Sequence, residues 1–275
     1  MLIPRRVLLG LALAASLTPL KAVAQGVSAP ARAISFGSHP LQTLDLYPGP
    51  DEGAVLLFVH GGGWSRGERG MVHDLPAYAA RHGLTLASTS YRLVPEVSAR
   101  EAAADVAAAV ARLKQDLPDR PLLLMGHSAG AHLAALVGVD PDYLGAHGLA
   151  PAAIAGVILL DGAGYDATGD RGGGMVGRAL GRMYEQAFGA AAAALSPTLR
   201  VGPGRVYPPY LIFHIASRRD SAAQSRGLAE ALVRAGGRAE VVVAPDDSHR
   251  EINVGFGAPG DPEGERAARF IAAES

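Results

Sequence analysis

The chain has 275 residues, of which 49% are hydrophobic and 19% charged, with 25 basic against 26 acidic side chains. That length suits one large α/β domain, and the balance excludes both a disordered tail and a polyelectrolyte that holds nucleic acid, so the expected partner is a small, roughly neutral molecule. The lack of cysteine excludes a disulfide framework, a thiol nucleophile and cysteine-ligated metal centres, which leaves covalent chemistry to oxygen and nitrogen.

Taken in chain order, residues 1–24 differ from all that follows. Arg5 and Arg6 lead into the apolar run Val7 to Leu17, and Ala22-Val23-Ala24 closes the segment. This is the pattern of a secretory signal cleaved after Ala24, with an apolar run shorter than the ~20 residues a membrane span needs. The expectation is a periplasmic or secreted protein in which residues 25–275 form a single domain, outside the membrane in its mature form. The arginine pair leaves both the general and the twin-arginine export routes open.

Ile34 to Phe36 and Leu44 to Tyr47 flank Gly37-Ser38-His39-Pro40, which predicts an antiparallel hairpin at a sheet edge. Beyond it, Val55 to Val59, Leu84 to Ser88, Leu122 to Met125, Ile154 to Leu160, Tyr210 to Ile215 and Val241 to Val243 read as buried strands. Helical spacing lies between them, at Val106, Val110 and Leu113, at Leu133, Leu136 and Val137, and at Leu228 and Leu232. Strand alternating with helix predicts a doubly wound, mostly parallel sheet of eight strands. Residues 166–209 are rich in Gly, Ala and Pro and carry no strand signal, so they predict a mobile cap inserted above the sheet. The G-x-G-x-x-G spacing of Gly172, Gly174 and Gly177 does not signal a dinucleotide site, because no strand runs into it and no acidic residue follows about 20 positions later. No cofactor and no metal are expected.

The strongest local signal is Gly126-His127-Ser128-Ala129-Gly130, directly after one predicted strand and before a helix. A sharp strand-to-helix turn projects the Ser128 hydroxyl from a strained backbone, while the glycines let neighbouring segments pass closely. The second signal is His60-Gly61-Gly62-Gly63-Trp64, after the strand Val55 to Val59. Bare backbone there can present amide donors to a developing oxyanion, and the donors are assigned to Gly62, Gly63 and Ala129. His60 and Trp64 are expected to support that loop rather than react.

A serine needs a histidine to take its proton and a carboxylate to orient that histidine. The G-x-S-x-G placement resembles that of α/β hydrolases, in which nucleophile, acid and histidine follow in that order. Of the later histidines, His132 lies on the nucleophile's own helix, His147 in a Gly/Pro-rich loop and His214 inside a strand, which leaves His249 as the base. Asp161, Asp166, Asp170, Asp220, Asp246 and Asp247 all follow Ser128. Asp220 is preferred as the acid, because it comes a short turn after the strand Tyr210 to Ile215; Asp161, at the end of the preceding strand, is the alternative.

Leu44-Asp45-Leu46-Tyr47-Pro48, His60-Gly61-Gly62-Gly63-Trp64, Tyr91-Arg92-Leu93 with Pro95, Gly126-His127-Ser128-Ala129-Gly130, Asp220 and His249 together resemble serine carboxylesterases of the α/β-hydrolase superfamily. The likeness is to the feruloyl-esterase and kynurenine-formamidase-like group, related to the hormone-sensitive-lipase-like enzymes. It implies hydrolysis of a small-molecule ester through an acyl-enzyme, with Ser128 as nucleophile, His249 as base and Asp220 as acid. Met175, Met183, Tyr184 and Phe188 would wall the acyl pocket. The alternatives are an aryl formamidase and a non-catalytic scaffold that binds a ligand. Arg218-Arg219, just before the expected acid, has no assigned role; its two readings are a pair of surface arginines and recognition of a substrate carboxylate.

Overall fold

The computed structural model describes residues 29–169 and 174–275; the export segment and Gly172 lie outside them. One eight-stranded sheet organises the chain: β1 (Arg32–Ser35), β2 (Thr43–Tyr47), β3 (Val55–Val59), β4 (Thr85–Thr89), β5 (Leu122–His127), β6 (Gly156–Leu160), β7 (Tyr210–Ile215) and β8 (Ala239–Ala244). Their spatial order is β1-β2-β4-β3-β5-β6-β7-β8. The expected hairpin is present, with β1 antiparallel to β2 and β2 antiparallel to β4, and every other pairing is parallel. The helices are α1 (Leu75–Arg81), α2 (Ala99–Asp116), α3 (Ala129–Val139), α4 (Pro141–Gly145), α5 (Gly174–Phe188), α6 (Pro197–Arg200), α7 (Arg219–Arg234), α8 (Glu251–Val254) and α9 (Pro262–Glu274).

The central strands are apolar throughout because both faces are covered. In β3, Val55, Leu57 and Val59 pack into a core shared with α2, α3 and α7. The alternate residues Leu56 and Phe58 pack on the other side, with α1 and α9. Alternation of side chains across the pleat makes a strand of this kind a continuous apolar run. Each fully buried Leu or Phe contributes about 1.5–3 kcal/mol relative to exposure.

Local signals agree with this packing. Helix α2 begins at Ser98, whose hydroxyl accepts from the Arg100 amide while Glu101 accepts from the Ser98 amide, satisfying amides that the first turn leaves unpaired. Its Asp105 is buried and accepts from Gln42 and from the Arg92 amide and guanidinium, which fastens the Tyr91-Arg92-Leu93 segment to the helix. The described residues of 166–209 contain α5 and α6 rather than strand.

Register brings the chemistry to one edge. Val59 pairs with Gly126, His127 with Leu160, and Leu160 with Phe213. The residues that follow β3, β5, β6 and β7 therefore emerge together at the carboxyl end of the sheet, where open α/β sheets bind ligands.

Candidate active site

Ser128 sits between β5 and α3 with φ 54 and ψ −117, a left-handed backbone that a non-glycine residue holds only when its surroundings impose it. The imposition is visible. The Ser128 amide donates to Leu160 O at 3.0 Å, and the His132 amide donates back to Ser128 O at 3.2 Å. A Cβ on Gly126 would lie 2.4 Å from Gly130 O, and one on Gly130 only 2.1 Å from Val59 O. The turn is therefore packed backbone to backbone, and only glycine fits at either flank.

His249 lies in the loop between β8 and α8, and its Nε2 is 3.0 Å from Ser128 Oγ. Its Nδ1 is 2.6 Å from Oδ2 of Asp161. An ionised carboxylate only accepts, so the proton sits on Nδ1 and Nε2 is free to accept from the serine hydroxyl. Burial alone would raise the Asp161 pKa, but the hydrogen bond from His249, the Arg218 charge and the Ser221 hydroxyl outweigh it and hold the carboxyl at about 2. The Ser221 hydroxyl donates to Oδ1 at 2.5 Å. Like Ser128, Asp161 has a positive φ, 39.

The expectation for the acid is thus corrected. Among the described residues Asp220, 55% exposed, reaches only Arg218, at 3.2 Å, whereas Asp161 is 0% exposed and holds His249. Asp161 comes directly off the end of β6, whereas Asp220 lies five residues beyond β7 and is already inside the first turn of α7. Arg218 fills the intervening space. Its Nη1 donates to Asp161 Oδ2 at 2.8 Å and its Nη2 to Asp220. Nη1 also comes within 2.9 Å of His249 Nδ1, an approach of two donors that share one carboxylate oxygen. Neither the choice of Asp161 nor the role of Arg218 was evident from spacing along the chain.

The glycine loop after β3 has Gly62 at φ 127, Gly63 at φ 60 and Trp64 at φ 60. Gly62, Gly63 and Ala129 line the same cavity as Ser128 and His249. Among the described residues their amides donate to no protein acceptor. His60 and Trp64 are both buried beneath the loop. The His60 ring stacks on Tyr91 with centroids 4.4 Å apart, its Nδ1–H donates to Gly61 O at 2.7 Å, and Tyr91 OH donates to His60 O at 3.0 Å. Trp64 Nε1–H donates to His132 Nδ1 at 3.2 Å, and His132 Nε2–H donates to Leu195 O at 2.7 Å. This relay ties the glycine loop to helix α3 and to the inserted segment. His127, beside Ser128, donates from Nε2 to the carbonyl of His249 at 2.8 Å. Burial lowers the pKa of His60, His127 and His132 to about 4, with the nearby His249 a further cause for His127, so all three are neutral at pH 7.

Leu180, Met183 and Tyr184 of α5 form the apolar wall of a cavity of about 880 Å³ above Ser128. Phe188 lies behind that wall, edge-on to Trp64 at 4.8 Å; the side chain of Met175 lies outside the described residues. Gly177 sits within α5, which no strand enters directly. Among the described residues no three His, Asp or Glu side chains form a cluster able to hold a metal ion.

A strained serine between strand and helix, backed by a histidine and a carboxylate at the carboxyl edge of a mostly parallel eight-stranded sheet, is the architecture of an α/β hydrolase. A model of the alpha/beta hydrolase fold family matches residues 56–253, and the chain belongs to that family. It is 32% identical over 112 residues to the probable isoprenylcysteine alpha-carbonyl methylesterase ICMEL2 of Arabidopsis thaliana, covering 38% of this chain and 26% of that protein. It is also 32% identical over 125 residues to esterase LipC of Mycobacterium tuberculosis, covering 41% of this chain and 31% of that protein. The chain thus spans about a quarter to a third of these relatives. Esterase B from Lactobacillus Rhamnosis shares the fold, with a TM-score of 0.71 at 21% identity over 90% of this chain and 87% of that one.

Proposed function

We propose that this protein is a serine hydrolase of small carboxylic esters that works through an acyl-enzyme. The observation that carries the reading is the continuous chain from Ser128 Oγ to His249 Nε2 and from His249 Nδ1 to buried Asp161. In this scheme His249 takes the hydroxyl proton as Ser128 Oγ bonds to the ester carbonyl carbon. Asp161 keeps the imidazole in the required tautomer and stabilises the imidazolium. The carbonyl electron pair moves onto oxygen, where the amides of Gly62, Gly63 and Ala129 receive it; loss of one such donor costs about 3–4 kcal/mol. The intermediate collapses, the C–O bond to the alcohol breaks, and His249 protonates the leaving oxygen. Water, deprotonated by His249, then attacks the acyl-enzyme and releases the acid.

The wall of Leu180, Met183 and Tyr184 supports an apolar acyl site, with Met183 facing the glycine loop: a Cβ on Gly63 would lie 2.8 Å from its sulfur. The test is hydrolysis of 4-nitrophenyl esters from C2 to C12 by the protein and its Ser128→Ala variant. The expected result is turnover of short chains that falls about a millionfold in the variant. Equal rates in the two proteins would defeat the proposal. We propose further that the protein is exported and that its mature form begins at Gln25, a reading supported by Arg5-Arg6, the apolar run and Ala22-Val23-Ala24. Intact mass of the protein from fractionated cells tests it, and a full-length cytoplasmic product would refute it.

A further inference from the structure

Four charged side chains line the cavity above Ser128: Arg66, Arg218, Arg219 and Asp220. They divide by what already holds them. Arg218 is taken by Asp161 and Asp220, and Asp220 is thereby taken as well. Arg66 and Arg219 have no carboxylate within ion-pair distance among the described residues, a state they share with other exposed arginines such as Arg205 and Arg226, whereas Arg69 pairs with Asp45, Arg92 with Asp105 and Arg200 with Asp140.

Position adds to charge. Arg66 follows the glycine loop at the end of β3, and Arg219 opens α7 after β7. In the sheet, β5 lies between those two strands, and both arginines line the cavity that holds Ser128. The chain as a whole carries a formal charge of −1 and does not attract anions generally. In this cavity three arginines outnumber one aspartate, and a guanidinium offers a planar fork of donors that fits a carboxylate.

We infer that the natural substrate is an ester that also bears a free carboxylate, received by Arg66 or Arg219 while the apolar wall of α5 takes the rest of the molecule. The inference rests on the hydrolase reading of the same site. It accounts for one residue of the Arg218-Arg219 pair as substrate recognition, and for the other as a partner of the catalytic acid.

The test uses two ester pairs matched in size, with rates corrected for spontaneous hydrolysis. 4-Methylphenyl acetate against 4-acetoxybenzoate places the charge in the alcohol, and 4-nitrophenyl hexanoate against mono-4-nitrophenyl adipate places it in the acyl chain. The expected result is a kcat/KM about tenfold or more higher for the carboxylated member of one pair, as a charge-assisted hydrogen bond supplies. That preference should shrink as sodium chloride is raised and collapse towards unity in the folded Arg66→Gln/Arg219→Gln variant. Equal or faster hydrolysis of the neutral member in both pairs overturns the inference and leaves the hydrolase reading standing, as does a preference that survives in the double variant. Hydrolysis of none of the four esters overturns both.

Discussion

Replacement of Asp161 by Asn, set beside the same change at Asp220, separates the two candidate acids. Asp161 accepts from His249 Nδ1 at 2.6 Å, and its Oδ2 is also 2.8 Å from Arg218. An amide of the same shape can turn its NH2 towards the imidazole and favour the wrong tautomer, with Nδ1 accepting and Nε2 protonated against the serine. Loss of an orienting carboxylate of this kind lowers kcat by about 10⁴, which is about 5.5 kcal/mol of transition-state stabilisation. Asp220→Asn removes only an exposed ion pair with Arg218, worth up to about 1 kcal/mol, so its kcat should fall less than about fivefold. The assay is kcat on a 4-nitrophenyl ester of short acyl chain, with thermal melting of both variants. Asp161→Asn also leaves the Arg218 guanidinium without its buried counter-ion, so activity is read well below the variant's melting temperature. A large loss in Asp220→Asn with near-normal turnover in Asp161→Asn would refute the assignment.

Three further outcomes follow from the packing. Gly130→Ala places a methyl 2.1 Å from Val59 O and 2.4 Å from His60 O, both backbone atoms at the root of the glycine loop. It should cost roughly 1–3 kcal/mol in urea unfolding and lower kcat more than it raises KM; unchanged stability would contradict the close approach. Arg92→Ala strands the carboxylate of Asp105, which is 2% exposed, and should cost about 3–5 kcal/mol, read as a lower urea midpoint; a shift under 1 kcal/mol would contradict the pairing. His60, His127 and His132 have pKa values lowered to about 4 from 6.5 in the folded chain, so the unfolded chain binds more protons below pH 6.5. Their neutral burial is fully tolerated above that pH, and stability is lost as pH falls towards 4, by about 2 kcal/mol for each histidine at pH 5. Set against a typical stability of about 5–15 kcal/mol, this predicts a melting temperature that drops steeply between pH 6.5 and 4, and a flat profile there would refute it.

Much of the fold is legible along the chain because its signals are local. Val55–Val59 and Tyr210–Ile215 coincide with the observed strands residue for residue, and the Gly37 to Pro40 turn does join an antiparallel pair. A strand covered on both faces must be apolar at every position, so a short uninterrupted run marks it. The turn at Ser128 is readable for the same reason, since the close approaches at Gly126 and Gly130 admit no side chain. His249 emerges by elimination, because the other late histidines sit on α3, in a Gly/Pro-rich loop and inside β7. The supporting contacts are not readable this way: the link from Trp64 through His132 to Leu195 joins three segments distant in the chain.

The sequence by itself determined the eight-stranded α/β architecture, the strained serine and the glycine loop, all of which follow from side-chain size and polarity over a few neighbouring residues. Only the tertiary structure decided which aspartate orients His249 and what Arg218 does. Asp161 and Asp220 each follow a buried strand, and nothing local distinguishes them. What separates them is the folded setting of each: Asp161 comes directly off β6 and is buried against His249, whereas Asp220 lies exposed in the first turn of α7, and it is Arg218 that reaches back to Asp161.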